Sequence, residues 1–128
     1  MQHRKNALLE INTGVKSKWV YIRQMLTNLV KNGKVTTTSK RAAVLKAEAD
    51  ELISRLVTNT EKYEAKDAKR ENIRLIKSVI YSEAEWKKLL NDLLPKYVES
   101  GKKSWFVCTY KLWYRLWDGA EKVLVKLA

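Results

Sequence analysis

A chain of 128 residues, 45% hydrophobic and 31% charged, is long enough for one domain with a buried core. Its 26 Lys and Arg against 14 Asp and Glu give a net charge of +12, which suits a polyanionic partner. No apolar run approaches the roughly 18 residues of a membrane span, no apolar stretch behind Met1-Gln2-His3-Arg4-Lys5 makes a secretory signal, and one cysteine excludes an internal disulfide. The expected location is the cytosol, or the matrix or stroma of an organelle.

The charge is concentrated. Residues 1–46 hold ten Lys or Arg and a single acid, Glu10. Cations that neutralise phosphates release condensed counterions, which drives sequence-independent nucleic-acid binding. On charge alone, an anionic membrane surface and a merely solvated cationic face remain as alternatives.

In chain order, residues 1–16 lack periodicity and read as a basic N-terminal arm, ahead of a single globular domain over 17–128. From Ser17, an N-cap candidate, Trp19, Ile22, Leu26, Leu29 and Val30 recur at helical spacing, and Asn32-Gly33 supplies a left-handed stop. The β-branched run Lys34-Val35-Thr36-Thr37-Thr38 reads as a strand, and Thr38 or Ser39 is expected to cap the next helix. That helix carries the stripe Leu45, Ala49, Leu52, Ile53, Leu56 and should end near Thr58-Asn59.

A third helix is expected over 65–81, with Ile73, Ile76 and Ile80 inward and a solvated first half from Lys66 to Glu71. Ser82 and Glu85 have the spacing of a capping box that opens a fourth helix, which Pro95 should end or kink. The runs Trp105–Tyr114 and Val123–Leu127 read as two strands joined by a turn at Asp118-Gly119. The sum is an α+β, two-layer order of helix, strand, three helices and β-hairpin, with a small mixed sheet.

Catalytic chemistry finds little support. Gly14, Gly33, Gly101 and Gly119 are too scattered for a phosphate-cradling loop, and His3, the only histidine, is far in sequence from Cys108. No metal-ligand spacing exists, so neither enzyme activity nor a cofactor or metal is expected, and Cys108 reads as a strand residue.

Several segments resemble the bacterial-type large-subunit ribosomal protein L-seventeen family. Met1-Gln2-His3-Arg4-Lys5 is similar to its Met-x-His-Arg-Lys start, and Arg23-Gln24-Met25 with Leu29-Val30 to its Arg-Asn-Leu helix. Val35-Thr36-Thr37-Thr38-Ser39-Lys40-Arg41-Ala42 resembles Ile-x-Thr-Thr-x-x-Lys-Ala, with Leu45-Lys46 after it. Lys88-Leu89-Leu90, Pro95-Lys96-Tyr97, and Arg115 with Asp118 and Ala120 match further motifs in the same order.

The resemblance implies the same element order and a structural role on large-subunit ribosomal RNA near the peptide exit region. Its partners would be that RNA and neighbouring large-subunit ribosomal proteins, with no membrane, small-molecule substrate or cofactor. Under this reading His3, Arg4 and Lys5 thread between RNA helices, and Lys16, Lys18 and Arg23 extend the contact. Lys34, Thr37, Thr38, Lys40 and Arg41 lie around a strand-to-helix junction, where helix N–H groups favour phosphate, and Lys46 is a further implied RNA contact. Lys111 and Arg115 would meet RNA from the hairpin, where Trp113 or Tyr114 either stack on bases or pack in the core.

Two departures matter. Cys108 stands where the family has a basic residue. Trp105, Trp113 and Trp117 stand where it tends to have glycine, which leaves two readings: divergence with added aromatic packing, or a codon printed as Trp that the cell reads as Gly.

Overall fold

The computed structural model describes residues 17–101 and 105–127, so the expected arm, with His3, Arg4, Lys5 and Lys16, lies outside the described residues. Helix α1, Lys18–Asn32, buries Ile22, Leu26, Leu29 and Val30 along one face. It stops at Gly33, where φ is 78° and the N–H returns to the Leu29 carbonyl at 2.8 Å. Ser17 stands at the cap but makes no side-chain cap bond, because its backbone is already helical. Trp19, expected on the apolar face, is instead 43% exposed.

Strand β1, Lys34–Thr38, leads directly into the 24-residue helix α2, Ser39–Lys62. The inward face of α2 holds the expected stripe together with Ala42, Val44 and Val57, and runs past Thr58-Asn59 to Lys62. Helix α3, Ala65–Val79, is shorter than expected and ends where Ile80 turns to extended backbone. Its buried side includes Ala68, Asn72 and Ile76, while the charged first turns otherwise face solvent.

The fourth helical region differs in two ways from its sequence signals. The capping box does not form: Ser82 makes no cap bond, and its hydroxyl pairs with the Glu85 carboxylate instead. Pro95 does not stop the chain either. Helix α4, Glu83–Lys88, passes into a π-helical turn, Leu89–Leu93, and then into α5, Leu94–Ser100, with Pro95 in the first turn of α5. The wider turn shifts the hydrogen-bond ladder, so the proline's missing N–H and bulky ring are accommodated where a regular helix would break.

Strands β2, Val107–Tyr114, and β3, Glu121–Leu127, complete a sheet of order β1-β3-β2. The sheet is wholly antiparallel rather than mixed. The last strand inserts between the other two, so β1 meets β3 head to tail, with Val35 opposite Val125. Helices cover one face of the sheet, where Val107, Val123 and Val125 pack with Leu45, Leu56, Phe106 and Tyr97. This is the expected two-layer α+β arrangement.

The hairpin turn is longer than Asp118-Gly119 alone. Arg115 N–H reaches the Ala120 carbonyl at 2.7 Å, leaving a four-residue loop, 116–119, with Gly119 at φ 67°. Asp118 accepts from Arg115 Nε at 3.0 Å and from Ala120 N at 3.1 Å, which uses its carboxylate to close the wider loop. Between Lys111 and Tyr114 the β2–β3 register slips, forming a bulge at Leu112-Trp113. Trp105 has φ 63°, the one positive value outside glycine among the described residues. An L-residue in that region carries a penalty of roughly 1–2 kcal/mol that glycine avoids.

Candidate nucleic-acid interface

Side chains alternate across a strand. Because Val123 and Val125 are buried against the helices, Lys122, Leu124 and Lys126 lie on the outer face. Their cross-strand partners share that face: Thr38, Thr36 and Lys34 on β1, and Tyr110 and Cys108 on β2. None of these residues is acidic. Lys34 sits directly opposite Lys126, and both are exposed. Like charges in that relation destabilise a sheet by a fraction of a kcal/mol up to about 1 kcal/mol, a cost that a bound anion would remove.

One end of this face meets the start of α2. Thr38 occupies the N-cap position but its hydroxyl makes no cap bond, and the first turn contains no acid. The expectation that this hydroxyl serves as a helix cap is therefore not met. The positive end of the α2 dipole lies beside Lys40, Arg41 and Lys122, all favourable for a phosphate oxygen. Thr37 is separated from this group. It pairs with buried Val123 and shares the inward face with Val35.

Other expected contacts have work inside the protein. Arg23 donates from Nε to the Val79 carbonyl at 3.3 Å and lies 4.3 Å from the Tyr81 ring centroid, pinning α1 to the end of α3. Arg41 reaches the Tyr21 hydroxyl at 3.4 Å. Lys46 pairs with Asp50 at 3.4 Å and stands 4.5 Å from the Trp105 ring, while the other Asp50 oxygen accepts from Val107 N at 3.0 Å. Lys18 also has a partner within the fold.

On the hairpin, Lys111 pairs with Glu121 at 3.6 Å and Arg115 with Asp118. Exposed pairs of this kind contribute about 0–1 kcal/mol, so a phosphate can displace them. Trp113 and Tyr114 contact each other edge to face, but at 72% and 54% exposure they are not core residues. Core packing of these rings is excluded.

Glu85, Glu83 and Asp118 have carboxyls held below the usual range. The Ser82 hydrogen bond is the main lowering influence on Glu85, the Lys87 hydrogen bond on Glu83, and the Ala120 N–H followed by Arg115 on Asp118, which outweigh a partial desolvation acting the other way. Burial pushes the Tyr97 hydroxyl upward. None of these shifts arms a nucleophile or a general base. Among the described residues no cluster of three His, Cys, Asp or Glu is placed to hold a metal.

Sequence reasoning missed Lys122 and Lys126. The signal was present, since both alternate with Val123 and Val125, but the strand was read for its core and not for its far face.

Residues 21–128 match the family model described as ribosomal protein L17. The chain belongs to the ribosomal protein L17 family. It is 32% identical to the large ribosomal subunit protein bL17 of Carboxydothermus hydrogenoformans, over 83% of this chain and 85% of the relative. The protein of the same name from Clostridium kluyveri is 30% identical over 98% of this chain and 97% of the relative. That from the Loch Maree strain of Clostridium botulinum is 29% identical over 83% and 84%. Membership in the L17 family makes this a structural ribosomal protein of the large subunit, and not an enzyme.

Proposed function

We propose that the chain binds large-subunit ribosomal RNA through the outer face of its sheet and the N-terminus of α2, beside neighbouring large-subunit proteins. The observation that carries this reading is the acid-free face on which Lys34 confronts Lys126. Such a face gains when a phosphate backbone replaces the repulsion. Lys40, Arg41, Thr38 and Lys122 continue the contact at the helix start and Arg115 at the hairpin loop, whereas Lys111, like Thr37, stands opposite Val123 on the other side of the sheet. The basic arm, with His3, Arg4, Lys5 and Lys16, would order on assembly. Recognition is by backbone and shape rather than by base sequence.

The membrane alternative needs the apolar face of α1 on lipid, yet Ile22, Leu26, Leu29 and Val30 are already buried in the core. No described helix is long and apolar enough to cross a bilayer. Sedimentation decides between the readings. The chain should travel with large subunits, leave them in high salt, and crosslink to their RNA through residues of the outer face. Binding to anionic liposomes with no association to ribosomal particles would refute the proposal.

A further inference from the structure

A groove of about 360 Å³ opens where the end of α1, the start of β1, the end of β3 and α5 meet. Its lining includes Lys34, Lys88, Lys96 and Lys126 and no carboxylate. Lys88 is committed, donating to the Lys31 carbonyl at 3.0 Å at the end of α1. Tyr97 also lines the groove, is 3% exposed, and has a buried hydroxyl with no hydrogen-bond partner. Two of the lysines belong to the outer sheet face, so the groove is continuous with it.

We propose that this groove seats one backbone phosphate of the bound RNA, held by Lys34, Lys96 and Lys126, with the Tyr97 hydroxyl donating to a phosphate oxygen. The site rests on the RNA-binding reading above. An anion there relieves the Lys34–Lys126 repulsion and satisfies a hydroxyl that the fold leaves unpaired. An extended RNA backbone explains why the cations continue beyond the groove along the sheet, which a small free anion does not.

The test compares the full chain with the double variant Lys34→Gln, Lys126→Gln and with Tyr97→Phe, on a large-subunit ribosomal RNA transcript across a salt series. The double variant should lose about tenfold in affinity, with a log–log salt slope shallower by roughly one, as for one phosphate. Its melting temperature should hold or rise, since the facing charges are gone. Tyr97→Phe should weaken binding several-fold without unfolding the chain. Unchanged affinity of Tyr97→Phe together with the double variant overturns the groove and the Lys34–Lys126 contact, unchanged affinity of Tyr97→Phe alone overturns the groove but not the outer-face contact, and a parent chain that ignores the RNA overturns the functional reading with it. Inorganic phosphate that stabilises the parent but not the double variant, with RNA affinity equal in both, marks a small-anion site and also overturns the proposal.

A second inference rests on a separate observation. Trp105, Trp113 and Trp117 occupy a positive-φ position, a β-bulge and a hairpin tip. They are 70%, 72% and 79% exposed, so none is kept for packing in the core. Glycine is the residue that the positive φ of Trp105 favours, and it is frequent at bulges such as that of Trp113, although Trp113 and Trp117 keep negative φ. Yet the chain has only 4 glycines, under half the roughly 7% usual share, beside 5 tryptophans and a single phenylalanine. Trp19 and Trp86 differ, because both sit in regular helix and Trp86 packs on the core.

We infer that the polypeptide made in the cell carries glycine at 105, 113 and 117, through a triplet printed as Trp that the cell reads as glycine. The gene should then use one triplet at these three positions and the ordinary Trp triplet at 19 and 86. Peptides from native ribosomes should be lighter at each of the three sites by the difference between Trp and Gly. A shared triplet at all five positions, or an intact Trp in the peptide spanning 105, overturns the inference.

Discussion

The outer face of the sheet and the solvent side of the helices both carry many cations, but they treat them differently. Along the helices each cation tends to have an acid one turn away: Arg55 with Glu51 at 3.1 Å, Arg74 with Glu71 at 3.8 Å, and Lys87 with Glu83 at 3.0 Å. On the sheet Lys34 faces Lys126, and Lys122 has a threonine opposite. A surface built for water balances its charge locally, whereas one built for a polyanion leaves the balance to the partner.

The contrast can be broken most severely from beneath. Leu56 is fully buried under both regions, and Leu56→Ala should lower unfolding free energy by about 2–5 kcal/mol, measured by chemical denaturation. RNA binding would then fail with the fold, which sets the control for every surface variant. A charge reversal such as Lys122→Glu should instead leave stability nearly unchanged and weaken RNA binding, with a shallower salt slope read by filter retention.

Smaller effects sharpen the picture. Trp105→Gly should stabilise by about 1 kcal/mol, because relief of the left-handed backbone outweighs the added chain entropy and the lost Lys46 contact, whereas Trp105→Ala should gain nothing in thermal unfolding. Tyr97 offers a pH test. Its raised folded value means that the unfolded chain gives up this proton first, so stability falls as pH rises through about 10. Tyr97→Phe should remove that part of the alkaline loss. Arg74→Ala, on the balanced side, should change stability by under about 0.5 kcal/mol and leave RNA binding alone.

Elements written in strong periodicity were legible in the sequence: the α2 stripe, the Gly33 stop and the alternation of β3 all stand in the structure. What failed was local polar chemistry. Ser17, Thr38 and Ser82 occupy cap positions without capping: the Ser17 backbone is already helical and the Ser82 hydroxyl turns to Glu85, neither of which spacing alone can rank. Pro95 misled for a related reason, since a π-helical turn one step earlier removes the conflict that makes proline a breaker. At the candidate interface, Lys34, Lys40 and Arg41 were visible as a cluster in sequence. Lys122 and Lys126 join them only when the last strand slots beside the first, a neighbourhood that no sequence window contains.

That slotting fixes an order of events during synthesis. β3 emerges from the ribosome last and yet is the strand on which both others hang, so until Glu121–Leu127 is free the nascent chain has helices and two unmatched strand edges. Positions 105, 113 and 117 all precede it. A chain cut short at any of them lacks the central strand and therefore the sheet, and is left exposed to aggregation and to proteolysis.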